Sequence, residues 1–319
     1  MCAQRERRFV MAQIVTIGEI LVEVMAAEVN QTFLSPGFFR GPYPSGAPAI
    51  MIDQAARLGA SCAIIACVGD DDFGKLNIER LRGDGVDVRG IVVKRDETTG
   101  VAFVGYTQDG NRKFIFHFSH AAAGALQPED LSIDVFEDIR VFHVMGCSLS
   151  ASASLRETVL KGARIARERG ALLSFDPNIR PELLGDYKVR EAFSQILRQC
   201  DILLTSKDEM VKIAGADCME GANSWKQYAK LAVILKDGRR GAHLIAQDTD
   251  VRIPSFPVQE VDPTGAGDCF DGAFLASFIS GKSLYEAAKI GNAAGALGVT
   301  KYGPMEGAAQ PMEIAALTR

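Results

Sequence analysis

Short apolar runs alternate along most of the chain with segments whose apolar positions recur at helical spacing. The first such pair is Ile14 to Ile17 and then Ala49 to Leu58, where Asp53, Gln54 and Arg57 form the polar face. Further runs at Ala63 to Val68, Val141 to Met145, Leu172 to Phe175, Ile202 to Leu204, Ala232 to Leu235 and His243 to Ala246 read as strands. Helical stretches such as Leu155 to Arg169 and Arg190 to Gln199 separate them. Unbroken apolar strands joined by helices predict an α/β protein with a largely parallel sheet covered by helices.

Two regions break this rhythm. Residues 97–118 read as a hairpin, because Val101 to Tyr106 and Lys113 to Phe118 flank Asp109-Gly110-Asn111, a turn sequence suited to positive φ. Residues 23–43, with Phe33, Phe38 and Phe39 among glycines and prolines, supply further strands. The two regions predict a small β appendage: a flap over a ligand, a dimer contact, or two surface loops without a role.

Composition narrows the function classes. With 35 Lys and Arg against 40 Asp and Glu, the net charge is −5, which offers no global basic surface for nucleic acid. Any anionic ligand must be held locally. The 47% hydrophobic and 24% charged content argues against long disorder. The seven cysteines show no zinc spacing and no disulfide framework, so reduced thiols and a cytoplasmic location are expected. Arg5 to Arg8 before an apolar run superficially suggests a leader, but Glu19 and Glu23 interrupt that run, and residues 1–11 are expected to be a frayed extension. No stretch approaches the ~20 apolar residues that span a membrane.

The most informative segment is Asp262-Pro-Thr-Gly-Ala-Gly-Asp268, followed by Phe270, Phe274 and Phe278 at four-residue spacing. The spacing predicts a helix with one buried face, and Gly265 and Gly267 permit a tight turn at its N-terminus. Free amides there, reinforced by the helix dipole, suit phosphate or the charge of a transition state. Asp268, in the first turn and with no need to lie on the buried face, either accepts a proton from a hydroxyl nucleophile or merely satisfies the dipole. Asp176-Pro-Asn-Ile-Arg180 is expected in the loop beyond a strand's carboxyl end, where open α/β sheets bind ligands, or as an ordinary Asp-Pro turn. Leu235 to Ala242 is a glycine-rich connection that is either a nucleotide contact or a plain hairpin. Asp72-Phe73-Gly74 lacks the companion motifs of protein kinases, and no P-loop, nucleophile elbow or His metal cluster is present. His143, inside an apolar run, reads as a core residue.

Taken together, the Asp262 to Leu275 segment and Gly46 through Gly74, with Ala55-Ala-Arg-Leu-Gly59 and Val68-Gly-Asp-Asp-Asp-Phe-Gly74, resemble the two signatures of the ribokinase-like (PfkB) carbohydrate kinases. The resemblance implies a ribokinase-like three-layer fold over residues 12–307, with a mostly parallel central sheet and a small β-sheet lid from about 23–43 and 97–118. It implies an ATP-dependent sugar kinase with Asp268 as base and the amides of Gly265, Ala266 and Gly267 around the transferring phosphoryl group. Lys236, Gly238, Gly241, Asn292 and Ser206 are implied on the nucleotide side. Glu23, Gly46, Asn178 and Arg180 are implied on the sugar side, and Glu209 is implied to organise magnesium through water. Magnesium neutralises the clustered phosphate charge. A monovalent cation such as K+ and a homodimer through the lid are left open, and neither nucleic acid nor a membrane is an expected partner.

Departures bear on the substrate. Ser206 stands where the family motif has Asn, Ile50 where many relatives have a sugar-contacting Asn, and Glu23 where an Asp is common. Ser174 to Arg180 is most similar to fructokinases and 2-keto-3-deoxygluconate kinases, yet His117 falls near the lid Arg expected of the acid-sugar enzymes. Arg112 or Lys113 is the available substitute. A ketohexose is the expected acceptor, with 2-keto-3-deoxygluconate, or a catalytically weak sugar or nucleotide sensor, as alternatives.

Overall fold

The structure, a computed structural model, describes residues 11–108, 112–179, 186–206, 208–209, 212 and 229–319. Strands and helices are numbered in chain order. The apolar runs form β1 (Ile14–Ile17), β4 (Cys62–Gly69), β5 (Ile91–Lys94), β8 (Val141–Met145), β9 (Leu172–Asp176), β10 (Ile202–Ser206) and β11 (Ala232–Lys236), paired in parallel. β12 (Ala242–Ala246) and β13 (Thr249–Ile253) extend one edge antiparallel. The spatial order is β13-β12-β11-β10-β9-β8-β1-β4-β5. The connection between β11 and β12 is therefore a hairpin, and Gly238 and Gly241 lie in its turn with φ of 52° and 96°.

Each central strand feeds two cores. Ala63, Ile65 and Cys67 of β4 join one buried cluster, whereas Cys62, Ile64, Ala66 and Val68 join the other. Side chains alternate between sheet faces, and both faces are covered, so these strands read as continuous apolar runs. One face carries α1 (Ala47–Arg57), α2 (Asp72–Gly83) and α6 (Ala266–Ile279), with α7 (Leu284–Gly298) and α8 (Pro311–Thr318) packed beyond. The other carries α3 (Gly146–Ala151), α4 (Ala153–Glu168) and α5 (Tyr187–Leu197). No helix among the described residues is long and apolar enough to cross a membrane.

A second sheet stands apart, in the order β3-β2-β6-β7, from β2 (Leu21–Val29), β3 (Phe39–Ser45), β6 (Gly100–Tyr106) and β7 (Arg112–His117). β2 pairs with β3 and β6 with β7 antiparallel, while β2 and β6 pair in parallel. Only Gly18, Glu19 and Ile20 separate β1 of the main sheet from β2 of this lid. The Asp109 to Asn111 turn, Arg180 and residues 1–10 lie outside the described residues.

Helix α6 differs from its expected single buried face. Every residue from Asp268 to Ser277 is buried, because α1, α7 and the main sheet enclose the helix. The Phe270–Phe274–Phe278 stack is present, but Asp268 also lies below the surface, only 9% exposed. His143 is fully buried, and its Nδ1 meets Ser174 Oγ at 3.1 Å while Nε2 has no hydrogen-bond partner. Burial pushes its pKa down to about 3, so the ring is neutral.

Candidate active site

Asp262 organises the turn that starts α6. One carboxylate oxygen accepts from Thr264 N at 3.1 Å and Thr264 Oγ1 at 2.7 Å, and the other accepts from Gly303 N at 3.1 Å. Gly265 then takes φ 81°, and a Cβ there would lie 2.4 Å from the Pro304 carbonyl oxygen. Only glycine fits this turn. The first intrahelical bond is Cys269 N to Gly265 O at 2.8 Å, which leaves the amides of Ala266, Gly267 and Asp268 ahead of the ladder. Ile50 supports the turn from below: its Cγ2 would be 3.3 Å from a Cβ on Gly265.

Asn178, just past β9 with φ 36°, donates Nδ2 to Asp268 Oδ1 at 3.3 Å. Beside it, Lys236 Nζ lies 2.7 Å from Asp176 and 2.9 Å from Asp271, all three largely removed from solvent. Burial alone would lower the pKa of the ammonium, but the two carboxylates raise it well above that of free lysine. Burial also opposes ionisation of Asp176, yet Lys236 holds that carboxyl below the usual range. Burial raises Asp271 well above it. The charge of Lys236 is thus balanced within the trio by the two carboxylates it touches. Asp271 and the pairing of Lys236 were not legible in the sequence.

Glu209 is tied to the backbone: Oε1 accepts from Ile179 N at 2.8 Å, and Oε2 from Ser206 N at 2.9 Å and Ser206 Oγ at 2.8 Å. Ser206, in place of the family's Asn, therefore anchors Glu209. Among the described residues no group of three metal-type side chains is arranged to hold an ion directly.

These groups line a cavity of about 360 Å³ between the body and the lid. Glu19, Glu23, Ser45 and Gly46 also line it; Glu23 accepts from Ser45 Oγ at 2.7 Å. Glu19, buried, accepts from Ser148 Oγ at 2.6 Å and from Cys147 Sγ at 3.0 Å. Sequence reasoning missed it as a site residue, although a carboxylate interrupting an apolar run was the available signal. Gly46 has φ 113°, and a Cβ there would strike the Glu19 carbonyl at 2.4 Å. From β7, Arg112, Phe114 and Phe116 face this cavity, as does Phe118 just beyond the strand. His117 points to the lid's other face, where it meets Phe103 edge-on at 6.2 Å.

A second cavity, of about 600 Å³, adjoins the first and shares Lys236, Gly238, Pro263, Ala266 and Gly267 with it. Gly241, Phe270 and Asn292 line its remainder. Asn292 commits its Nδ2 to the carbonyls of Ile253 and Pro254, at 3.1 and 3.2 Å. The predicted residues thus gather around one glycine turn, apart from Arg180, which lies outside the described residues.

The profile of the pfkB family carbohydrate kinases matches residues 11–311. The chain belongs to that family. It is therefore a phosphotransferase acting on a sugar hydroxyl. Among PfkB relatives, it is 35% identical to fructokinase-1 of Zea mays over 304 residues, 91% of this chain and 92% of the relative. An E. coli protein provisionally named ribokinase II, solved with ATP and Mg2+, superposes with a TM-score of 0.91 at 44% identity, covering 96% and 99% of the two chains. A fructokinase from Xylella fastidiosa with bound ATP gives a TM-score of 0.84 at 27% identity, covering 96% and 97%. The shared architecture is the ribokinase-like mixed α/β fold.

Proposed function

We propose that this PfkB kinase transfers the γ-phosphoryl group of ATP to a hydroxyl of a neutral ketohexose, with Asp268 as the base. One observation carries the reading: Asp268 faces the smaller cavity one residue beyond the Ala266–Gly267 turn that both cavities share. A hydroxyl there gives its proton to Asp268, and the amides of Gly265, Ala266 and Gly267 bind the transferring group. Lys236, Gly238, Gly241 and Asn292 border the nucleotide. Magnesium enters with ATP as part of the substrate, and the remaining lone pairs of Glu209 hold its waters. The E. coli complex with ATP and Mg2+ and the fructokinase relatives support this assignment.

Neutrality of the acceptor follows from charge. Glu19 and Glu23 line the cavity together, and a substrate carboxylate placed beside them would be repelled, while Arg112 is held at Thr264 by the glycine turn. Ketohexoses offer hydroxyls that both carboxylates can accept from. The outer lid face, with Phe38 82% and Leu34 96% exposed beside the Phe33–Phe39–Phe103 cluster, is the contact of a homodimer in this reading.

The test is ADP release with MgATP and a panel of ketohexoses, aldoses, 2-keto-3-deoxygluconate and nucleosides. Fructose or a related ketohexose is expected as the preferred acceptor. Asp268→Asn is expected to lower kcat by about 10²–10⁴-fold while ATP binding stays within a few-fold. A preference for 2-keto-3-deoxygluconate would overturn the neutral acceptor. Tight sugar binding without product would overturn the enzyme in favour of a sensor.

A further inference from the structure

Two cationic side chains among the described residues line the acceptor cavity, and they differ in what balances their charge. Lys236 is neutralised by Asp176 and Asp271. Arg112 has no carboxylate at ion-pairing distance among the described residues. Its Nη1 donates to Thr264 Oγ1 at 3.0 Å, and its guanidinium carbon lies 5.5 Å from the centre of the Phe114 ring. Thr264 is itself held, since Oγ1 donates to the buried Asp262 at 2.7 Å and the residue immediately precedes Gly265. The lid therefore places a cation with no direct carboxylate partner among the described residues beside the amides that precede the ladder of α6. An anion seated between them would meet donors on both sides.

We propose that Arg112 is a catalytic residue that binds the transferring phosphoryl group from the lid side, opposite the Gly265–Gly267 amides. The proposal rests on the reading of Asp268 as the acceptor's base. In the step, the sugar oxygen bonds to the γ-phosphorus as the bond to the β,γ-bridging oxygen breaks. The hydroxyl proton passes to Asp268, and ADP leaves with the bond's electron pair. Negative charge spread over the three equatorial oxygens meets amides on one side and a planar guanidinium on the other. Arg112 is anchored on Thr264 at the glycine turn, next to the amides that precede the ladder of α6. Strand alternation explains why this residue and not its neighbour reaches the site: Lys113 falls on the opposite face of β7.

The experiment compares wild type, Arg112→Gln and Arg112→Lys with MgATP and the best acceptor. Isothermal titration also measures ADP binding alone and ADP with aluminium fluoride and sugar, a mimic of the transferring group. Arg112→Gln is expected to lower kcat on the order of 10³-fold with sugar KM within a few-fold. It should weaken the aluminium fluoride complex by a similar factor and leave ADP alone unchanged, with Arg112→Lys intermediate. An unchanged kcat, or a raised KM confined to acid sugars, overturns the proposal in favour of a carboxylate receptor. Equal loss of ADP affinity and melting temperature overturns it in favour of a purely structural contact. Wild type without product on any acceptor overturns the kinase reading itself, a result distinct from an active wild type matched by its Arg112 variants.

Discussion

Asp53 lies fully buried on α1, with Arg57 Nε and Arg80 Nη2 each 3.3 Å away. Burial nonetheless raises its pKa from 3.8 to about 7. The two arginines cannot hold it ionised because they are shared: Arg57 and Arg80 also bind Asp84, at 3.0 and 2.6 Å, and Arg80 binds Glu306 at 3.1 Å. A carboxyl whose folded pKa is raised keeps a proton that the unfolded chain releases. Its contribution is full below about pH 4 and is lost as pH rises toward 7. Asp53→Asn, which mimics the protonated form, should therefore gain melting temperature relative to wild type as pH goes from 5 to 8. A difference that stays constant across this range would show that Asp53 is ionised throughout. Residues of this kind mark the limit of sequence reading. Asp268 and Gly265 announce themselves through local spacing, and Gly46 only through the family signature, whereas Lys236 meets partners 60 and 35 positions away. Ile50 lines the first cavity and also lies beneath the glycine turn, a second role that its place in the sequence did not announce.

At the scale of elements, the contact between α1 and α6 sets how Gly46 and the Gly265 turn sit relative to one another. α1 carries Gly46 at its N-terminus and Ile50 within it, and α6 begins at Ala266. The two backbones approach closely at Gly272, where a Cβ would lie 2.1 Å from Met51 O. Gly272→Ala should cost roughly 1–3 kcal/mol by forcing the helices apart, and kcat should fall with stability. Gly83→Ala at the end of α2 meets nothing within 4 Å and has no positive φ, so its melting temperature should hold or rise slightly. Chemical denaturation of both variants checks the contrast. The parallel strands were legible because both sheet faces bury their alternating side chains. The all-round burial of α6 was not, because a stripe of three phenylalanines on one face says nothing about the small residues that let α1 and α7 approach the others. Gly272 and Gly291 are such positions; a Cβ on the latter would lie 3.0 Å from the Phe270 ring.

The whole molecule divides its labour between two sheets. The main sheet and α6 carry Asp268 and the glycine turn, and the lid carries an aromatic wall on one face and exposed apolar residues on the other. If the outer face joins two copies, Phe38→Asp with Leu34→Asp should convert a dimer to a monomer in light scattering; a monomeric wild type would refute the contact. The lid's outline was legible as two β-rich interruptions. The parallel pairing of β2 with β6 was not, since nothing in either strand specifies which edge of the hairpin it meets. That pairing has a consequence for the birth of the protein. β2 and β3 leave the ribosome early, but their partner β6 follows only after α1, β4, α2 and β5. At ~5–20 residues per second the first half of the lid waits for seconds with an edge unpaired and its phenylalanines uncovered. The apolar edge of the lid is thus exposed longest before Asp268 has been translated.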